Sequence, residues 1–152
     1  MSFLSLFKPQ GVLLDMQASD SDGALAELAS AHVELFPNLS SRKDEICDAL
    51  CQRESQGSTG ASRVALPHIK LDGIDEVSVV VGIHRGGIDF NSLDGENIHV
   101  FFSILRPSES ADQHLDLLRW IASLAQHPDF VSFACQAQDA SQVIDLLAEL
   151  AD

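Results

Sequence analysis

Two apolar runs dominate the hydrophobic pattern, EVSVVVGI over residues 76–83 and NIHVFFSIL over 97–105. Each is β-branched or aromatic and almost continuously apolar, which predicts strands covered on both faces. GVLLDM (11–16) predicts a shorter first strand, and RVAL (63–66) a brief one stopped by Pro67. Elsewhere the apolar positions recur at helical spacing. Ala24, Leu25, Leu28, Ala31 and Leu35 predict a helix with Ser21 as N-cap, ended by Pro37 and Asn38. A second helix is expected from a Ser41 cap, with Asp44 imitating a capping box, through Ile46 and Leu50 to about Gln52. Leu115, Leu118, Ile121, Ala122 and Ala125 predict the buried face of a third, and Val143, Leu146 and Leu147 that of the last. A shorter helix is expected from Asp129 to Cys135.

The order of strand, helix pair, strands and helices predicts an α/β fold: a mixed sheet flanked by helices on both faces, in three layers. Neither a repeat nor a linker breaks the pattern, so residues 1–152 are expected to form one domain. QGSTGAS (56–62) predicts a small-residue loop with backbone N–H groups available to an anion, and GGIDFNSLDG (86–95) a turn-rich connection.

Charge narrows the partners. Twenty-three acidic against nine basic side chains leave a formal charge of −14, which excludes nucleic acid and disfavours an anionic membrane surface. Such a surface suits a basic partner protein, or simply keeps the chain soluble. The N-terminus MSFLSLFKPQ shows no signal-peptide core, and no apolar run approaches the ~20 residues of a membrane helix. With three cysteines and no such signal, the expected setting is the reducing cytoplasm.

Among six histidines, His32 and His99 sit in an apolar helix and strand and read as structural, and His127, before Pro128, reads as solvent-facing. His68 differs. Pro67 constrains the backbone before it, and Arg53, Arg63 and Lys70 lie close in sequence. An ordinary imidazole titrates near ~6.5, so at neutral pH one ring nitrogen keeps a lone pair for phosphorus without an auxiliary base. Phosphoryl transfer further asks for positioning and for neutralised oxygens. Arg53 offers a planar fork, and Ser58 and Thr59 offer hydroxyls.

Two metal readings compete with this. Cys47 and Cys51 share a helix face, but without a second paired motif they read as small buried thiols. His68, His114 and an acidic residue would make a zinc-hydrolase-like site if they converged, although no HExxH pattern is present. The chain also lacks a Walker sequence and GxGxxG, so no nucleotide or other cofactor is called for.

Three phrases in order carry a resemblance. They are Arg53-Glu54 with Gly57-Ser58-Thr59 and Ala65-Leu66-Pro67-His68 before Lys70, then Ile88-Asp89-Phe90 with Leu93-Asp94-Gly95, then Pro107 followed by His114-Leu115 and Leu117-Leu118. Together they resemble the enzyme IIA domains of the bacterial phosphoenolpyruvate-dependent phosphotransferase system, of the fructose, mannitol and nitrogen-regulatory type. The resemblance implies that His68 accepts a phosphoryl group from the histidine-containing phosphocarrier protein. It implies that His114 is the second active-site histidine and that Arg53 stabilises the phosphate; Ser58, Thr59 and Lys70 are the further candidates for binding it, on their own donor chemistry and charge. With no IIB or IIC domain in these residues, a nitrogen-regulatory role through a target protein is expected. The alternatives are sugar transport in trans with IIB and IIC partners, or a poorly phosphorylated interaction module of the same fold. One departure falls at position 69, where the family commonly carries glycine or a small residue; Ile69 predicts a narrowed approach to the histidine or an altered partner.

Overall fold

A computed structural model describes residues 3–109 and 111–151. Its centre is a hairpin of the two apolar runs, β5 (Ser78–Ile88) and β6 (Ile98–Arg106), paired antiparallel. β1 (Val12–Leu13) joins β5 in parallel, and β3 (Val64–Ala65) and β4 (His68–Lys70) join β6 in parallel. β2 (Gly60–Ala61) closes the far edge antiparallel to β3. The sheet is mixed, in the order β1-β5-β6-β3-β2, with β4 also on β6.

Period-2 alternation divides β6 between two cores. Phe101 and Leu105 face α1 (Ser21–Leu35) and α2 (Lys43–Ser55), while Val100, Phe102 and Ile104 face α3 (Ala111–Ala125), α4 (Phe130–Gln136) and α5 (Ala140–Leu150); Ile98, across the register shift from Val100, departs from the alternation and packs with the first group. The three-layer α/β architecture is therefore as expected. Each fully buried aliphatic side chain here, such as Ile46, Leu50 or Ile121, contributes about 1.5–3 kcal/mol through burial.

Local details depart from the pattern. The cap of α1 is Asp20, whose carboxylate accepts from Gly23 N at 2.8 Å, and Ser21 is already helical. Ser41 lies in a 3-10 helix, Pro37–Arg42, so α2 starts at Lys43 without a side-chain cap. That helix also runs past Gln52 to Ser55, placing Arg53 in its last turn. On α3 the buried residues are Leu117, Ile121 and Leu124; Leu115 is 48% exposed and Ala122 faces solvent. β5 continues through Gly86 and Gly87 to Ile88, where a turn-rich stretch was expected, and Gly87 at φ 77° accompanies the register shift between Ile83 and Ile88.

His32 is completely buried in α1, its Nδ1 2.7 Å from Ser78 Oγ and its Nε2 2.9 Å from Ser103 Oγ. The ring ties α1 to both central strands. Desolvation holds its pKa at about 3, so it is neutral at ordinary pH.

Candidate functional site

Pro67 interrupts the edge of the sheet without ending it. Lacking an N–H, it cannot donate to β6, yet its carbonyl accepts from Ile104 N at 3.0 Å and the chain resumes pairing at His68. His68 therefore opens a strand, in register with Ile104, while Lys70 lies opposite Arg106. In-register partners share a face, so His68, Lys70 and Arg106 all lie on the side covered by α3.

The His68 ring is held in one tautomer. Its Nδ1 lies 2.6 Å from the Leu66 carbonyl, which can only accept, so Nδ1 carries the proton and Nε2 keeps its lone pair. His114, in the first turn of α3, stands with its ring centroid 5.2 Å from that of His68, the planes inclined at 47°. Its Nδ1 is buried without a hydrogen-bond partner among the described residues. Desolvation, then the neighbouring His68 and Arg106 charges, lower the His114 pKa to about 4.

Both rings border a cleft of about 440 Å³, which also has Arg53, Gln52, Lys70 and Arg106 on its walls. In a chain of net charge −14, no carboxylate lines it among the described residues. Nor does any of these lie within ion-pair distance of Arg53, Lys70 or Arg106. Arg53 Nη1 donates to Gly57 O at 3.0 Å, which leaves its other guanidinium donors for the cleft.

The structure thus brings together His68, His114, Arg53 and Lys70, residues that sequence reasoning had singled out. It does not bring Ser58 and Thr59 into the cleft. Ser58 Oγ donates to Phe90 O at 3.2 Å and accepts from Gly60 N at 3.0 Å. Thr59 donates its N–H and hydroxyl to Glu54 at 3.1 and 2.9 Å, and its Oγ1 accepts from Leu66 N at 3.2 Å. Those groups hold the loop, and through Leu66 they hold the carbonyl that orients His68.

The loop N–H groups expected to face an anion are similarly engaged. Ser62 N donates to Asp94 Oδ2 at 2.7 Å across the β2–β3 turn, where Ser62 and Arg63 both adopt left-handed backbone, φ 54° and 67°. That bond comes first among the causes that hold the Asp94 carboxyl below the usual range. Ile69 lies on the opposite face of β4 from His68, 9% exposed in the core beneath α2. It forms part of the cleft floor and does not cover the His68 ring.

Arg106 is the site residue that sequence reasoning missed. Following an apolar strand, it reads as an ordinary strand-end cation, and only its register opposite Lys70 places it in the cleft. The three cysteines are free and half-buried, and no group of three potential metal ligands occurs among the described residues. No described helix is long and apolar enough to cross a membrane.

An α/β sheet with two histidines and a cationic cleft at its edge, lined by no described carboxylate, defines a class of protein whose cleft suits an anion. The chain is narrower than that class. It belongs to the family described as phosphoenolpyruvate-dependent sugar phosphotransferase system, EIIA 2, whose model matches residues 5–150. It is 29% identical over 149 residues to a nitrogen regulatory protein of Bradyrhizobium diazoefficiens, covering 97% of this chain and 95% of that one. To a fructose-specific EIIA component of Haloferax volcanii it is 30% identical over 111 residues, 72% of each chain. In fold it resembles the nitrogen regulatory protein IIA-Ntr of Neisseria meningitidis, with TM-score 0.86 at 22% identity, over 95% of this chain and 97% of that one.

Proposed function

We propose that the protein is a phosphocarrier whose acceptor is Nε2 of His68, acting in a nitrogen-regulatory type of signalling in the cytoplasm. The observation that carries the reading is the pinned ring, with Nδ1 2.6 Å from the Leu66 carbonyl and the bare Nε2 in a cationic cleft. The donor is the histidine-containing phosphocarrier protein. In the transfer, the donor's N–P bond breaks and its electron pair returns to the donor ring, while a new N–P bond forms at Nε2. No proton leaves the nucleophile, because Nε2 carries none. Arg53 meets the equatorial oxygens, Lys70 adds charge at the rim, and neutral His114 stands within reach of the phosphorylated ring.

Added negative charge at His68 then changes which partner the cleft face accepts. Similarity to a nitrogen regulatory protein over 97% of the chain supports the signalling branch. Similarity to a fructose-specific EIIA component supports a second reading, delivery to a IIB domain in trans.

Incubation with phosphoenolpyruvate, its kinase and the phosphocarrier protein tests the proposal by intact mass. Wild type is expected to gain one acid-labile phosphoryl group and His68→Ala none. A wild-type protein that stays unmodified refutes the carrier and leaves an interaction module. Presenting the phosphorylated protein to a IIB domain separates the two branches.

A further inference from the structure

We propose that Arg106 is a second phosphoryl-binding cation, which closes the cleft on the side opposite Arg53; the proposal builds on the reading of His68 as acceptor. Register carries the argument first. Lys70 pairs with Arg106 as His68 pairs with Ile104, so Arg106 stands one pleat beyond the acceptor on the same face of the sheet. On that face Val100, Phe102 and Ile104 are buried under the helices, and Arg106 is the first position past them, half-buried at the cleft wall.

The guanidinium is anchored, and most of its donors are unused. Nη1 donates to Pro107 O at 3.1 Å and reaches toward Ser108 O at 3.5 Å, while Nε and Nη2 make no hydrogen bond among the described residues. Arg53 shows the same arrangement on α2, tethered through Nη1 to Gly57 O at 3.0 Å. Each fork is held by the loop that follows it, so less rotamer freedom is lost when an anion arrives. Two such forks on opposite walls, with Lys70 at the rim, match an anion whose charge is spread over three oxygens. No described carboxylate neutralises them. The Arg106 charge is also among the causes that lower the His114 pKa, after desolvation and His68.

Inorganic phosphate titrated into wild type, Arg106→Gln, Arg106→Lys and Arg119→Gln, followed by NMR of the histidine and arginine side chains, tests the proposal. Arg119 is an exposed cation paired with Asp116 on α3, so its variant makes the same charge change away from the cleft. Phosphate is expected to shift the His68 and His114 signals in wild type. The expected affinity is about tenfold weaker in Arg106→Gln, partly restored in Arg106→Lys and unchanged in Arg119→Gln. The His114 titration should also move upward in Arg106→Gln and stay near the wild-type value in Arg106→Lys, whereas loosening of the turn at Pro107 would move it in both variants. Equal phosphate affinity in Arg106→Gln and wild type, or an equal loss in Arg119→Gln, overturns the proposal. Failure of the phosphocarrier reading would show separately, as wild-type protein that takes no phosphoryl group from the donor.

Discussion

Acid should destabilise this protein in large part through His32. In the folded state its ring is neutral, with a pKa of about 3, because full burial between Ser78 and Ser103 disfavours the charged form. In the unfolded chain the ring takes a proton below its ordinary value of about 6.5. The unfolded state therefore binds more protons, and stability rises with pH. The contribution is fully present above ~6.5 and is lost as pH falls from there toward the folded value. Between pH 7 and pH 5 the linkage relation gives a loss of about 2 kcal/mol, set by the unfolded titration alone while the pH stays above the folded pKa. That is a large share of the 5–15 kcal/mol typical of a domain. Urea unfolding followed by the fluorescence of Trp120, which packs 5.5 Å from Phe7, measures it at a series of pH values. His32→Gln keeps two hydrogen-bonding atoms but does not titrate. The wild-type curve should fall about 2 kcal/mol more steeply than the variant's over this interval. His114, lowered for related reasons, is present in both proteins and cancels. Parallel curves, or a His32 ring signal that titrates near 6.5 in folded wild type, would refute the reasoning.

Two further perturbations separate loop support from chemistry. Asp94→Ala removes the acceptor for Ser62 N, Glu96 N and Ser92 Oγ, leaving the left-handed turn at Ser62 and Arg63 unsupported; amide exchange at Ser62 should accelerate on the order of tenfold, and unchanged exchange would remove that role. Ile69→Ala should lower stability by about 2–4 kcal/mol, because it empties a core position beneath α2. It should not speed phosphorylation of His68; faster transfer with stability intact would restore Ile69 as an obstruction.

Much of the fold was legible because its signals are local. Continuous apolar runs of strand length, rich in β-branched and aromatic residues, point to strands covered on both faces, so the central hairpin and the helices above and below it were legible in the pattern. Cap positions were less legible, since Asp20 and Ser21 are both good N-caps and only the observed bond to Gly23 chooses between them. The face of α3 was misread for a related reason. LDLL offers two overlapping apolar stripes, and packing against Phe102 and Ile104 selected the one through Leu117 and Ile121.

The site divides along the same line. His68, with Pro67 before it and Arg53 upstream, is visible in a short stretch of chain, and so is the chemistry a bare imidazole nitrogen offers. Where the other groups point was settled by pairing. Ser58 and Thr59 look like phosphate donors in a loop, but Phe90, Glu54 and Leu66 claim their hydroxyls once the chain is folded. Ile69 looks like an obstruction until alternation along β4 turns it into the core. Arg106 carries no local mark at all. By itself the sequence marked His68 as the side chain whose chemistry suits a phosphoryl group; the register of β4 on β6 brought Lys70 and Arg106 to one cleft and helix packing brought Arg53 and His114, because residues so far apart in the chain become neighbours only when the elements that carry them pair or pack.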